Sequence, residues 1–130
     1  MNNDSREFLI VKRLKDFCLS IDSIVINFPK KELLIRERLL NDSLEILNDV
    51  FYVNLDKNID SRNDYKKRII SKFNMLDFYV EYLFKKNIIN KRVCEKVCRE
   101  LNEMCKMIYG WLRDEGRAKW FIRYLWGYNS

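Results

Sequence analysis

Three cysteines, Cys94, Cys98 and Cys105, share one stretch of the chain, and a fourth, Cys18, stands far upstream. Thiolates are zinc ligands, so four of them could form a Cys₄ site. The spacing argues against it. Structural zinc sites draw on CxxC pairs, whereas a 94/98/105 pattern spreads three ligands over three helical turns. Free cysteine is also among the most frequently buried residues and packs as a small hydrophobe. The four are therefore read as core residues, and neither a metal site nor a cofactor is expected. The carboxylates Asp77 and Glu81 lie one helical turn apart, but no histidine exists to partner them. Glu95, Glu100, Glu103, Asp114 and Glu115 are interleaved with Lys and Arg, as solvated helix faces with i,i+4 pairs require. The absence of histidine removes His general bases, Ser-His and Cys-His nucleophile pairs and His metal sites. The glycines, Gly110, Gly116 and Gly127, form no phosphate-binding loop. No catalytic residue is assigned, and the chain is not expected to be an enzyme.

The cations say more. Lys and Arg number 25 against 19 Asp and Glu, a formal charge of +6 with a pI near 9.2. That balance points to an acidic partner, RNA or DNA ahead of an anionic membrane. The competing reading is a solvated basic surface. Lys30 and Lys31 follow Pro29, the only proline. Lys85, Lys86, Lys91, Arg92, Lys96 and Arg99 gather further on, and Lys66, Lys67, Arg68 and Lys72 form a third group.

The elements that must position these groups are helical. At 130 residues the chain is one domain with one core. Ile10, Leu14, Phe17, Ile21, Val25 and Phe28 recur at spacings of three and four, which predicts a helix over 5–27 with Ser5 as N-cap. Pro29 ends it, because the residue before a proline avoids the α region. A second helix is predicted from 31–33 to about 54, with Leu40, Leu44, Leu47 and Phe51 as its inner stripe, widened by Ile35, Leu39, Ile46 and Val50. The polar, Asn- and Asp-rich residues 54–64 read as the longest loop. Tyr65, Ile69, Phe73, Leu76, Val80 and Leu83 mark a third helix. After a short connection at 86–90, Val93, Val97, Leu101, Met104, Ile108 and Trp111 mark a fourth, over 91–113. No segment alternates long enough to be a strand. The expected fold is all-α: an antiparallel up-down four-helix bundle over 1–115 with a short aromatic-basic C-terminal extension over 116–130. In that topology the first and third connections share one end, so Lys30, Lys31, Lys85, Lys86, Lys91 and Arg92 would cluster there as a basic cap for phosphates.

No apolar run approaches the roughly 20 residues of a membrane span. Residues 1–6 are polar, and the apolar residues 8–11 are followed at once by Lys12 and Arg13, so no signal peptide is expected. The protein is expected to be cytoplasmic, with reduced cysteines, and not membrane-bound. The extension GRAKWFIRYLWGYNS (116–130) sets two Trp, two Tyr and one Phe among Arg117, Lys119 and Arg123. It would pack on the bundle, on a partner, on RNA or, with few basic residues to help, on a membrane surface.

The segment LIVKRLKDF…INFPKKELLIRERLL, with ELNEMCKMIYGWLRDE much later, resembles the accessory variability determinant (Avd) proteins of diversity-generating retroelements. The resemblance covers about residues 8–115. It rests on LIVKR at 9–13, on FPKK at 28–31 followed by Arg36–Glu37, and on GWLR at 110–113, in matching order and spacing. It implies a four-helix bundle that assembles into a homopentameric ring with a basic surface. It also implies binding to a reverse transcriptase and its template RNA, in support of mutagenic reverse transcription and without catalysis. By motif position it assigns Lys12, Arg13, Lys30, Lys31, Arg36 and Arg113 as partner-facing residues, with Arg36 and Arg38 also placed to form ion pairs between subunits. The same broad family includes proteins encoded within ribosomal-RNA intervening sequences, which share the FPK break and the GW ending, and an interaction module of that type is the alternative. The aromatic extension departs from both.

Overall fold

A computed structural model describes residues 2–56 and 58–113, with side chains over 7–56 and 58–111. The chain is all-helical: α1 (Asn2–Val25), a single 3₁₀ turn (Lys30–Glu32), α2 (Leu33–Leu55), α3 (Ile59–Lys85) and α4 (Lys91–Arg113), with no strand among the described residues. α2 packs on α1 and α3, and α4 packs on α3 and α1. One apolar core runs through all four helices, with Phe17, Ile46, Phe73 and Leu101 among its fully buried side chains. Each such side chain stabilises the fold by roughly 1.5–3 kcal/mol relative to exposure. The extension at 116–130, and with it the boundary set at 115, lies outside the described residues.

The breaks between helices follow from local chemistry. After Val25 the chain turns, with Phe28 N–H donating to the Val25 carbonyl at 3.0 Å. Pro29, at φ −59° and ψ 150°, is extended, and its carbonyl accepts the Glu32 N–H at 2.9 Å. Proline has no N–H to continue α1, yet its carbonyl starts the next turn. At the far end of α3, Asn87 adopts φ 61°. The Ile88 N–H then reaches back to the Leu83 carbonyl at 2.9 Å, the six-to-one bond of a Schellman cap with asparagine in the place glycine usually takes. Three residues later the Asn90 side chain accepts the Val93 N–H at 2.8 Å and caps α4.

Three expectations are corrected. The long loop at 54–64 is a three-residue connection, 56–58. Asp56 accepts the Asn58 N–H at 2.9 Å, and Asn58 accepts the Ser61 N–H at 3.1 Å. The Asn and Asp residues that suggested a loop thus serve as a turn and a helix cap, and Asp60 suits the first turn of α3. α1 starts at Asn2 rather than at Ser5; Asn2, Asn3, Asp4 and Ser5 are all capping types, so residue type does not choose among them. On α2 the inner face is Leu39, Ile46, Val50 and Val53, each at most 1% exposed. The expected inner stripe is rotated outward: Leu44 is 52% and Phe51 40% exposed, with Leu40 and Leu47 half-buried beside the core. Both stripes have helical spacing, and the face that turns inward also carries Asp42 and Asp49, which a polarity pattern assigns to solvent.

Candidate nucleic-acid interface

The cations nominated by topology flank the first and third connections. Lys30 and Lys31 occupy the 3₁₀ turn, Lys85 ends α3 with Lys86 at its C-cap, and Lys91 and Arg92 open α4; all six are exposed. A direct contact ties the two connections together. Glu32, buried at the end of the 3₁₀ turn, accepts from the Tyr82 hydroxyl of the last turns of α3 at 3.3 Å. Lys86 Nζ sits 5.5 Å from the centre of that same Tyr82 ring. Lys85 pairs with Glu81 at 3.1 Å on the exposed surface, a contact worth little in water. Lys30, Lys31, Lys91 and Arg92 make no ion pair or hydrogen bond with a described side chain. The first turn of α4 contains no acidic residue, so Lys91 and Arg92 face the positive end of its dipole uncompensated. That arrangement costs helix stability and favours an anion.

Between the two connections lies an open cleft of about 620 Å³. Asn27 and Phe28 line it from the first connection, Ile88, Ile89 and Asn90 from the third, and Asp16, Ser20 and Ser23 of α1 and Lys96 of α4 are among the residues of its wall.

The remaining nominated residues are elsewhere. Arg36 is half-buried on α2, one turn beyond the 3₁₀ segment. Lys12 and Arg13 are halfway along α1, about 20 Å from the Pro29 turn by helical rise. Lys12 pairs with Asp16 at 3.3 Å, and Arg13 with Glu103 of α4 at 3.0 Å. Arg113 is the last residue of α4, and its side chain lies outside the described residues. Arg38 is engaged within the chain: its Nε donates to the Tyr79 hydroxyl at 3.2 Å, which donates in turn to Asp42 Oδ2 at 2.9 Å.

The cysteines behave as core. Cys94, Cys98 and Cys105 are buried, and Cys94 and Cys98 place their sulfurs 3.9 Å apart. Burial raises the pKa of Cys18, Cys94 and Cys105, with the Asp77 charge adding to it at the last two, so these thiols stay protonated. Among the described residues no group of three or more Cys, Asp or Glu is placed to hold a metal ion. No described helix is long and apolar enough to cross a membrane.

A polar seam between α2 and α3 escaped the sequence reading. Besides the Arg38–Tyr79–Asp42 chain, Lys72 Nζ meets Asp49 at 2.8 Å and Glu45 at 3.3 Å. Burial works against the Lys72 charge, and Asp49 and Glu45 outweigh it and raise its pKa. The signal was present: Asp42 and Asp49 are seven apart on one helix, as are Lys72 and Tyr79 on the other. That is one heptad, which keeps each pair on one face. No family model, no curated protein and no solved structure matches the chain.

Proposed function

We propose that the chain is a non-catalytic accessory protein of a diversity-generating retroelement, an antiparallel up-down four-helix bundle whose basic end binds template RNA and the element's reverse transcriptase. The observation that carries the reading is the end formed by the two connections, where Lys30, Lys31, Lys91 and Arg92 have no carboxylate partner among the described residues and Lys85 and Lys86 are only weakly engaged. Unpaired cations at one end neutralise phosphates and release counterions, which supplies affinity without base specificity. The topology is supported by register. Advancing along α2 through Asp42, Asp49 and Tyr52, the partners on α3 step back through Tyr79, Lys72 and Tyr65. Along α1, Arg13 and Ser20 find Glu103 and Glu100.

Assembly into a homo-oligomeric ring, a pentamer by resemblance, is part of the proposal. The outward stripe of α2 supports it: Leu33, Leu40, Leu44, Leu47 and Phe51 follow a heptad register with Leu33, Leu44 and Phe51 exposed. A 3.5-residue apolar period suits another helix better than water. A ring multiplies the +6 of each chain and strengthens attraction to a polyanion.

Titration with structured RNA at rising salt tests the reading: affinity should fall steeply and log-linearly with salt. No binding at low salt, or binding that ignores salt, refutes it. A reverse transcriptase gene is expected beside the coding sequence; a position inside a ribosomal-RNA operon would transfer the chain to the intervening-sequence branch.

A further inference from the structure

We infer that the cleft between the two connections receives an unpaired nucleobase, so that this end prefers single-stranded over double-stranded nucleic acid. The inference rests on the RNA-binding reading above and deepens it. The cations at this end flank the cleft from both connections. Lys30 and Lys31 follow its lining residue Phe28 by two and three positions, and Lys91 and Arg92 directly follow its lining residue Asn90. A strand held by phosphate contacts on both connections must pass over the opening between them. Its volume, about 620 Å³, falls within the roughly 300–1,000 Å³ typical of small-molecule clefts.

The lining supplies both kinds of contact that a splayed base uses. Phe28 and Ile88 are half-buried and packed against the core, so each is held rigid while part of it still borders the cleft. An aromatic ring in that position is a stacking platform, and stacking tolerates any base. The edge contacts come from amide and hydroxyl groups. The Asn90 side-chain Oδ1 is committed to the Val93 N–H, which leaves its side-chain N–H₂ to donate. Asn27 is exposed at the rim; its backbone N–H bonds the Ile24 carbonyl, and its side-chain amide has no partner among the described residues. The Ser23 hydroxyl donates to the Leu19 carbonyl at 3.3 Å, which leaves its oxygen as an acceptor. Lys96 on the wall adds a cation. The one carboxylate of the lining, Asp16, is paired with Lys12. A paired base cannot enter such a cleft, because its edge is occupied and its face is stacked.

The discriminating measurement is fluorescence anisotropy of the full chain with a labelled 12-nucleotide unstructured RNA and with a 12-base-pair duplex, at several salt concentrations. The wild type should bind the single strand more tightly. Phe28→Leu keeps the apolar contact with the core and removes the ring; it should weaken single-strand binding about tenfold, leave duplex binding unchanged and leave the salt slope unchanged. Asn27→Asp, at an exposed position that the fold does not need, should also weaken the single strand more than the duplex. Equal affinity for both RNAs, with Phe28→Leu and Asn27→Asp acting on neither or on both alike, overturns the cleft assignment and leaves phosphate contacts alone. If the wild type binds neither RNA at low salt, the RNA reading falls and this inference falls with it.

Discussion

Replacing Asp77 by asparagine should stabilise the protein at alkaline pH and much less at acid pH. Asp77 is 9% exposed on α3, and its Oδ1 has no hydrogen-bond partner. Burial, and then the charge of Glu81 one turn further on, raise its pKa from 3.8 to about 7. From α4 it faces Cys94 and Cys105, whose neutral thiols offer no compensating charge. A carboxyl whose pKa is raised by folding holds its proton in the native state while the unfolded chain has already released it. Stability contributed by that proton is complete below pH 4, declines as pH rises between 4 and 7, and is gone above 7. At roughly 1.4 kcal/mol per factor of ten in proton affinity, the full interval corresponds to about 4 kcal/mol. Relaxation and water penetration around a buried charge leave about 2–4 kcal/mol of that. Asparagine has nearly the shape of the protonated acid and does not ionise, so Asp77→Asn should remove this loss. For a chain of this size the gain at pH 8.5 is on the order of 10 °C in Tm, against roughly a quarter of that at pH 4.5. Thermal melts by circular dichroism of both proteins at the two pH values give the answer, because titrations of groups remote from Asp77 cancel in the difference. An equal difference in Tm at both pH values, or a variant less stable at pH 8.5, refutes the reasoning.

Reversing Lys30 and Lys31 to Glu should leave the melting curve intact and weaken RNA binding. The slope of log affinity against log salt should fall by about 1.4, for two phosphate contacts on a single strand; an unchanged slope, or an unfolded double mutant, removes the basic end from the interface. Leu44→Asp with Phe51→Asp on the outward stripe of α2 should keep the helical spectrum and lower the mass seen by light scattering, whereas Ile46→Asp should unfold the chain; a wild type that scatters as one 16.0 kDa chain would dispose of the oligomer. Lys72→Met should cost about 1–3 kcal/mol in urea unfolding, because it strands the buried Asp49 carboxylate. That cost should largely disappear in an Asp49→Asn background.

The legible part of this fold was the part written in apolar period. Most residues of the stripes expected on α1, α3 and α4 are buried, with Phe28, Tyr65 and Val93 half-buried at their edges, because a regular spacing of three and four puts them on one face. Pro29 marked the first break because the residue before a proline avoids the α region; the structure adds that its carbonyl begins the next turn by accepting the Glu32 N–H. The loop at 54–64 was misjudged because asparagine and aspartate favour turns and caps alike, and only the bonds Asn58 makes tell which role it has.

Four amphipathic segments, the breaks at Pro29 and at 86–90 and the cations beside them were legible in the chain, because these depend on spacing of three and four and on residues whose backbone preferences are local. Tertiary structure decided what lay beyond that range. Which of two apolar stripes on α2 turned inward was settled by partners on α3, where Tyr79 and Lys72 give Asp42 and Asp49 a place to be buried. The bond from Tyr82 to Glu32 brought residues fifty apart to one end of the molecule, and with them the basic residues of two separate turns. Such contacts have no signature within either helix, since each exists only when two faces meet.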